Sequence, residues 1–250
     1  MYCYIYDDFV QDRKYEKELS AIENRITDLG LQGKIVRLAL FRDPAETIRR
    51  EVEQGAKTVV VIGNDATVHK VVDAVVDAGA VLGLIPVGEP TVLARILGIP
   101  DGVDACDALS QRIIEEIDVG RINGHRFITG VAFPKGKFRV RRGKEWEMTP
   151  DKRGSLEVRN LSVSVPRSKE DISNPTDALL DLVIETQTRG GWRPKIQTSR
   201  IALNTFDVYY EQPVTATADG AAVDGEVFHI DIEQTVLNTI VGRDRMFQTT

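Results

Sequence analysis

Through the first half of the chain, short apolar runs alternate with amphipathic stretches. Tyr2–Tyr6, Lys34–Leu40, Thr58–Ile62 and Val81–Pro86 read as strands. Between the first two, Leu19, Ile22, Ile26 and Leu29 form a helical stripe that stops at Gly30. Asp43-Pro44-Ala45-Glu46 opens a second helix, with Asp as N-cap, Pro at N1 and an acid at N3; that helix ends at Gly55. Val68, Val71, Val72, Val75 and Val76 carry a third, running to about Ala78. Shorter helices are expected near Thr91–Leu97 and Val103–Ile114. Strands that are apolar on both faces and separated by helices imply a parallel sheet with both faces covered.

Near Glu116 the period changes to strict alternation. Asn123-Gly124 sits between two such runs and signals a hairpin. Ser155–Pro166, Leu179–Thr188, Ile201–Tyr210 and Val214–Val223 follow as further strands, and no long helical pattern appears after Ile114. The expected class is α/β plus all-β. A parallel three-layer α/β domain occupies residues 1–118 and an antiparallel β-sandwich 119–250, its last strands free to pack back on the first domain.

Composition narrows the partners. The 250 residues carry a net charge of -6, which argues against nucleic acid as a bulk ligand. Two cysteines, Cys3 and Cys106, are too few for a disulfide framework and suit a reducing compartment. No apolar run approaches the roughly 20 residues of a spanning helix, and "MYCYIYDD" lacks the basic start of a signal peptide. A cytoplasmic protein is expected, with peripheral contact to a membrane and a homodimer left open.

Two loops concentrate the chemistry. Gly63-Asn64-Asp65-Ala66-Thr67 and Ile85–Pro100 each follow an apolar strand and open a helix. Parallel strands bring such loops to one edge, where helix N-termini receive anions. Neither GxGxxG nor a Walker A sequence is present. The pair resembles the diacylglycerol kinase catalytic family of lipid kinases, within a superfamily that includes NAD kinases. That family reads strand–GGDGT–xNEVxNG, then IPxGTxNDxAR closing on LGIP. Here the stretches are GNDAT-VHKVVDA and IPVGEPTVLAR, closing on Leu97-Gly98-Ile99-Pro100. The change to β structure after residue 118 and the segment "NGHRFITGVAF" resemble the family as well.

The resemblance implies ATP and Mg²⁺ as cofactors, a lipid hydroxyl as acceptor, and a nucleotide held by Gly63, Asn64, Asp65, Ala66, Thr67, Gly88, Glu89 and Thr91. It gives Asp65 a role through Mg²⁺ or as a base. It also implies an Asp-Gly-Glu after an alternating strand, matched either by Asp219-Gly220-Ala221 or by Asp224-Gly225-Glu226. Candidate catalytic residues are therefore Asp65, Asp219 and Glu226; the metal ligands stay unknown. Several positions depart from the pattern. Asn64 and Ala66 replace glycines, Glu89 replaces Thr, Thr91-Val92 replaces Asn-Asp, and an Asn-Pro loop after the first strand is replaced by Asp7-Asp8-Phe9-Val10.

Those changes weaken an anion site. A left-handed Ala66 would cost roughly 1–2 kcal/mol. A Glu89 carboxylate about 4 Å from a phosphate charge costs about 4 kcal/mol at an effective dielectric near 20, on the order of a thousandfold in affinity. Val92 can neither ligate a metal nor accept a hydrogen bond. Weak or absent Mg-ATP binding is expected. Three readings remain open: a diverged ATP-dependent lipid kinase, a non-catalytic pseudokinase binding a ligand or partner between its domains, and, with less support, an NAD kinase-like enzyme. His69 and Lys70 are expected on a solvated helix face. Lys135 to Arg153, basic with Phe138 and Trp146 interleaved, reads either as a solvated hairpin edge or as a contact for an anionic lipid surface.

Overall fold

Strand β1 (Tyr2–Tyr6) is flanked by β2 (Gly33–Arg37) and β3 (Thr58–Gly63), and β3 pairs on its far side with β4 (Val81–Pro86). All these pairings are parallel and in register, Tyr2 opposite Thr58 and Thr58 opposite Val81, for example. Every residue of β3 is buried, as its unbroken apolar run requires. The structure, a computed structural model, describes residues 1–38, 44–162, 171–190 and 193–247. Asp43, expected to cap the second helix, lies outside them, as do Ala39, Leu40 and the end of the strand expected to run to Pro166.

The order β4-β3-β1-β2 fixes where the helices go. The step from β1 to β2 runs one way along the sheet, and those from β2 to β3 and from β3 to β4 run the other. Right-handed crossovers then put α1 (Glu16–Asp28) on one face, and α2 (Pro44–Glu53) with α3 (Asp65–Asp77) on the opposite face. The packing agrees: α2 lies on α3, while α1 meets α5 (Ala105–Gln111). The fully buried Ile22, Val71 and Val75 seal the two layers against the strands.

The chain forms two compact units, Met1–Ile117 with Thr235–Thr250, and Asp118–Gln234. The last strand, grouped with the second domain on sequence but left free to pack back on the first, returns to the first unit from Thr235 on, where Thr239 pairs in parallel with Leu82 of β4.

The second unit is antiparallel. β5 (Ile113–Ile122) and β6 (His125–Phe127) are joined by Asn123 and Gly124, both at positive φ, the two-residue turn that the dipeptide predicts. β7 (Gly130–Gly136), β10 (Gly154–Arg159), β11 (Leu180–Gly190) and β12 (Arg193–Leu203) pair antiparallel in the order β7-β10-β11-β12. β13 (Thr205–Ala218) pairs with β14 (Ala221–Val241), β7 and β8 (Phe138–Arg142), and β8 with β9 (Trp146–Met148). Alternate residues of these strands share one core that includes Phe133, Phe138, Leu156, Leu182, Phe206 and Phe228.

Candidate functional site

The order of the parallel strands reverses between β1 and β3, so their carboxyl ends border the crevice where open α/β sheets take ligands. Three turns converge there. Asp7 follows β1, Asn64 joins β3 to α3, and residues 87–91 join β4 to α4 (Val92–Ile96). Backbone bonds fasten them together: Asp7 N donates to Ile62 O (3.3 Å), Val87 N to Gly63 O (2.9 Å) and Asp65 N to Pro90 O (2.9 Å).

The β3–α3 turn is a single residue. Asn64 is the N-cap of α3 and closes a capping box with Thr67: Thr67 N donates to Asn64 Oδ1, and Asn64 N donates to Thr67 Oγ1, each at 3.2 Å. A Cβ on Gly63 would lie 2.4 Å from Thr67 Oγ1, so glycine is needed there for close approach. Ala66 sits within α3 and is not among the residues at positive φ. The strain that a left-handed Ala66 would carry does not arise, because Ala66 belongs to the first helical turn rather than to a loop.

Asp65 reaches across to the other turn. Its Oδ2 accepts from Val92 N (2.8 Å) and its Oδ1 from Leu93 N (3.2 Å). Thr91, the N-cap of α4, makes no side-chain cap, so the carboxylate of Asp65 takes that function from a different helix. Asn64 Nδ2 donates to Glu89 O at 2.9 Å, ahead of a cis Glu89–Pro90 peptide. The Glu89 side chain is exposed, which moderates the repulsion expected of it, since solvent and salt screen a charge that can turn outward. Gly88, at φ +74, lies against the ring of Phe9; a Cβ there would come 2.8 Å from Phe9 Cε2 and 3.0 Å from the Tyr15 hydroxyl.

Asp7 completes the cluster. It is only 4% exposed, and its Oδ2 accepts from both Thr67 Oγ1 and Lys70 Nζ at 2.8 Å. Burial alone would raise its pKa. Lys70, Thr67 and the Asp8 N–H outweigh that and hold the carboxyl below its ordinary value. Lys70 is thus not simply part of a solvated face, because its ammonium is drawn to a buried carboxylate. His69 is half-buried with Nδ1 enclosed, since its position on α3 turns the ring partly inward.

Gly63, Asn64, Asp65, Ala66, Thr67, Gly88, Glu89 and Thr91 therefore come together in the first unit. Asp219 and Glu226 belong to the second. Asp219 (φ +46) and Gly220 (φ +88) form the two-residue turn between β13 and β14. The carboxylate of Asp219 accepts from Ile128 N (2.6 Å), Thr129 N (3.0 Å) and Gly130 N (3.1 Å), and from the Thr129 hydroxyl. Asp224 and Glu226 lie inside β14; Asp224 accepts from Thr215 Oγ1 at 2.5 Å, and Glu226 is exposed. A built environment thus surrounds Asp219 and not Glu226. In the basic stretch, Phe138 is 3% exposed within the core and Trp146 packs on the same core. Its aromatics serve the fold, while Lys135, Lys137 and Arg139 face outward.

Sequence reasoning noted Asp7 only as a departure from an Asn-Pro loop, and read Lys70 as surface. The signal that could have found the pair is the strand order, which puts the residue after β1 opposite the first turns of α3. Among the described residues, no group of three or more His, Cys, Asp or Glu is arranged to hold a metal. The N–H groups of Asn64, Asp65, Thr67, Val92 and Leu93 already donate within the chain. A nucleotide phosphate could take these five N–H groups only by displacing the acceptors they already have.

Comparison with known proteins points to a family. Residues 2–122 match the model of the diacylglycerol kinase catalytic domain. A diacylglycerol kinase of Bacillus subtilis (strain 168) is 28% identical over 118 residues, covering 46% of this chain. The aligned stretch spans only 39% of that relative's length. Among solved structures, a diacylglycerol kinase from Bacillus anthracis str. Sterne superposes with a TM-score of 0.78 at 14% identity, over 97% of both chains. A second structure from that organism gives 0.81 at 13% identity, over 96% of this chain and 97% of the other. At such identities these likenesses speak for the fold, and the sequence match speaks for the family. Through residues 2–122, the sequence match supports the diacylglycerol kinase catalytic-domain family.

Proposed function

We propose that this protein is a diverged lipid kinase of that family, with weak Mg-ATP binding and slow or absent phosphoryl transfer to a lipid hydroxyl such as that of diacylglycerol. One observation carries the reading: the N–H groups of Asn64, Asp65, Thr67, Val92 and Leu93, which open the two helices at the crevice, are already bonded within the chain. A phosphate entering there would have to displace the Asp65 carboxylate from Val92 and Leu93, and the Asn64 carboxamide from Thr67. Displacing a made hydrogen bond without replacing it costs about 1–3 kcal/mol for the group left bare. Phosphoryl transfer depends on positioning and charge neutralisation, both of which need those donors free. The same observation favours the non-catalytic alternative, in which the fold is kept to bind a ligand or partner. No helix of the described residues is long and apolar enough to cross a membrane.

The test is a calorimetric titration with Mg-ATP alongside a phosphate-transfer assay on mixed lipid vesicles. Dissociation constants in the high micromolar range or above, with transfer at background, are expected. Low-micromolar binding with brisk transfer to diacylglycerol would end the reading.

A further inference from the structure

Asp7 brings a full negative charge to the point where the strand order reverses. Its carboxylate bonds the Thr67 hydroxyl and the Lys70 ammonium, both on the first turns of α3, and it is buried while Lys70 remains half exposed. The segment that carries it is anchored on both sides. Asp7 N is held by Ile62 O, and Val10 is fully buried. The Phe9 ring lies on Gly88 and meets Tyr15 edge-on, the centroids 5.7 Å apart. Two 3-10 turns, Asp8–Gln11 and Arg13–Tyr15, make the segment compact, and Asp12 caps the second through Lys14 N.

We infer that residues 7–15 form an autoinhibitory contact, in which Asp7 acts as an internal counter-anion that keeps the half-exposed Lys70 from an external polyphosphate. The inference rests on the reading of this crevice as the nucleotide end of the family fold, and it names what closes that end. An anion arriving at Lys70 meets an ammonium already neutralised at 2.8 Å and a carboxylate of its own sign beside it. Removing that one charge, while keeping an acceptor for the buried Thr67 hydroxyl, leaves the Lys70 cation available.

The experiment compares the wild type with Asp7→Asn, Asp7→Asn/Lys70→Ala and Asp8→Asn, each titrated with Mg-ATP and with inorganic tripolyphosphate. Asp7→Asn is expected to bind both at least about tenfold tighter than the wild type, some 1.4 kcal/mol. Adding Lys70→Ala should take the gain away. Asp8→Asn, the same charge change at an exposed neighbour, should alter affinity by less than about twofold. Equal affinity of wild type and Asp7→Asn overturns the contact, as does an equal gain from Asp8→Asn, which would trace the effect to net charge. Should Asp7→Asn fail to fold, Asp7→Ser retains an acceptor for Thr67 and carries the same comparison. Tight binding and lipid phosphorylation by the wild type would instead defeat the proposed loss of activity, while the ratio between wild type and variant still judges Asp7.

Discussion

Asp65 in the first unit and Asp219 in the second both use their carboxylates to hold backbone N–H groups of a neighbouring turn, but from opposite starting points. Asp65 is the first residue of a regular helix, and it takes the two N–H groups that open α4. Asp219 is itself left-handed in a two-residue hairpin, and it takes three consecutive N–H groups and a hydroxyl from one loop. An aspartate adopts that backbone conformation more readily than most residues. The difference separates two kinds of acidic position. Asp65 satisfies two donors at one helix end, whereas Asp219 gathers every N–H of a loop whose carbonyls are held by Asn160 and Leu161, so it completes a fully bonded turn.

The largest expected effect follows from Asp219. Asp219→Ala should lower unfolding stability by about 3 kcal/mol, since three N–H groups lose their acceptor and the turn loses a residue suited to positive φ. Asp219→Asn should lose less. Denaturant midpoints measure both, and a loss no greater than that of Asp65→Ala would erase the contrast. Asp65→Ala itself should cost about 1–2 kcal/mol, in line with loss of a helix cap, and should leave Mg-ATP affinity unreduced by calorimetry. A tenfold fall in affinity would return Asp65 to a ligand role and break the comparison at its other end.

The Asp7 pair gives a smaller effect with a sign in pH. Its carboxyl is held below its ordinary value by Lys70 and Thr67, so the folded state favours the charged form. The associated stability is fully present above about pH 4 and declines as pH falls through the folded value. Wild type should exceed Asp7→Asn by about 1 kcal/mol at pH 7, and the gap should close toward pH 3 in acid-denaturation profiles. A gap that stayed constant with pH would remove the charge from the argument. Least of all should Glu89→Thr matter: the side chain is exposed, and stability should move by no more than about 0.5 kcal/mol.

The elements were legible where local pattern is sufficient. Tyr2–Tyr6 and Val81–Pro86 have the bounds that the apolar runs suggested, and the Asn123-Gly124 turn has the backbone its dipeptide demands. The second loop's adjacency to the first was legible too, because parallel strands bring their carboxyl ends together. What the loops do was not. That Ala66 would be helical followed from Asn64 and Thr67 closing a capping box, which moved the helix start to Asp65. The aromatics of the basic stretch were misleading for a related reason: alternation puts Phe138 on the core face of β8 while Lys137 and Arg139 point away, so residues adjacent in sequence serve opposite sides.

The sequence alone determined the periods, and through them two kinds of structure in one chain. Continuous apolar runs cannot be satisfied except by burial on both faces, and alternating runs cannot be satisfied except by burial on one. Set beside the family pattern, it also determined that the first anion loop keeps Gly63 but has Asn64 and Ala66 in place of glycines. Only the tertiary structure decided what the carboxylates there meet. Asp65 meets α4 across 27 positions of sequence and Asp7 meets Lys70 across 63, and such pairings depend on strand order rather than on neighbouring residues. A carboxylate has the same letters whether it awaits a cation or already holds an N–H. Its burial and its partners distinguish the two, and those are set when the sheet closes.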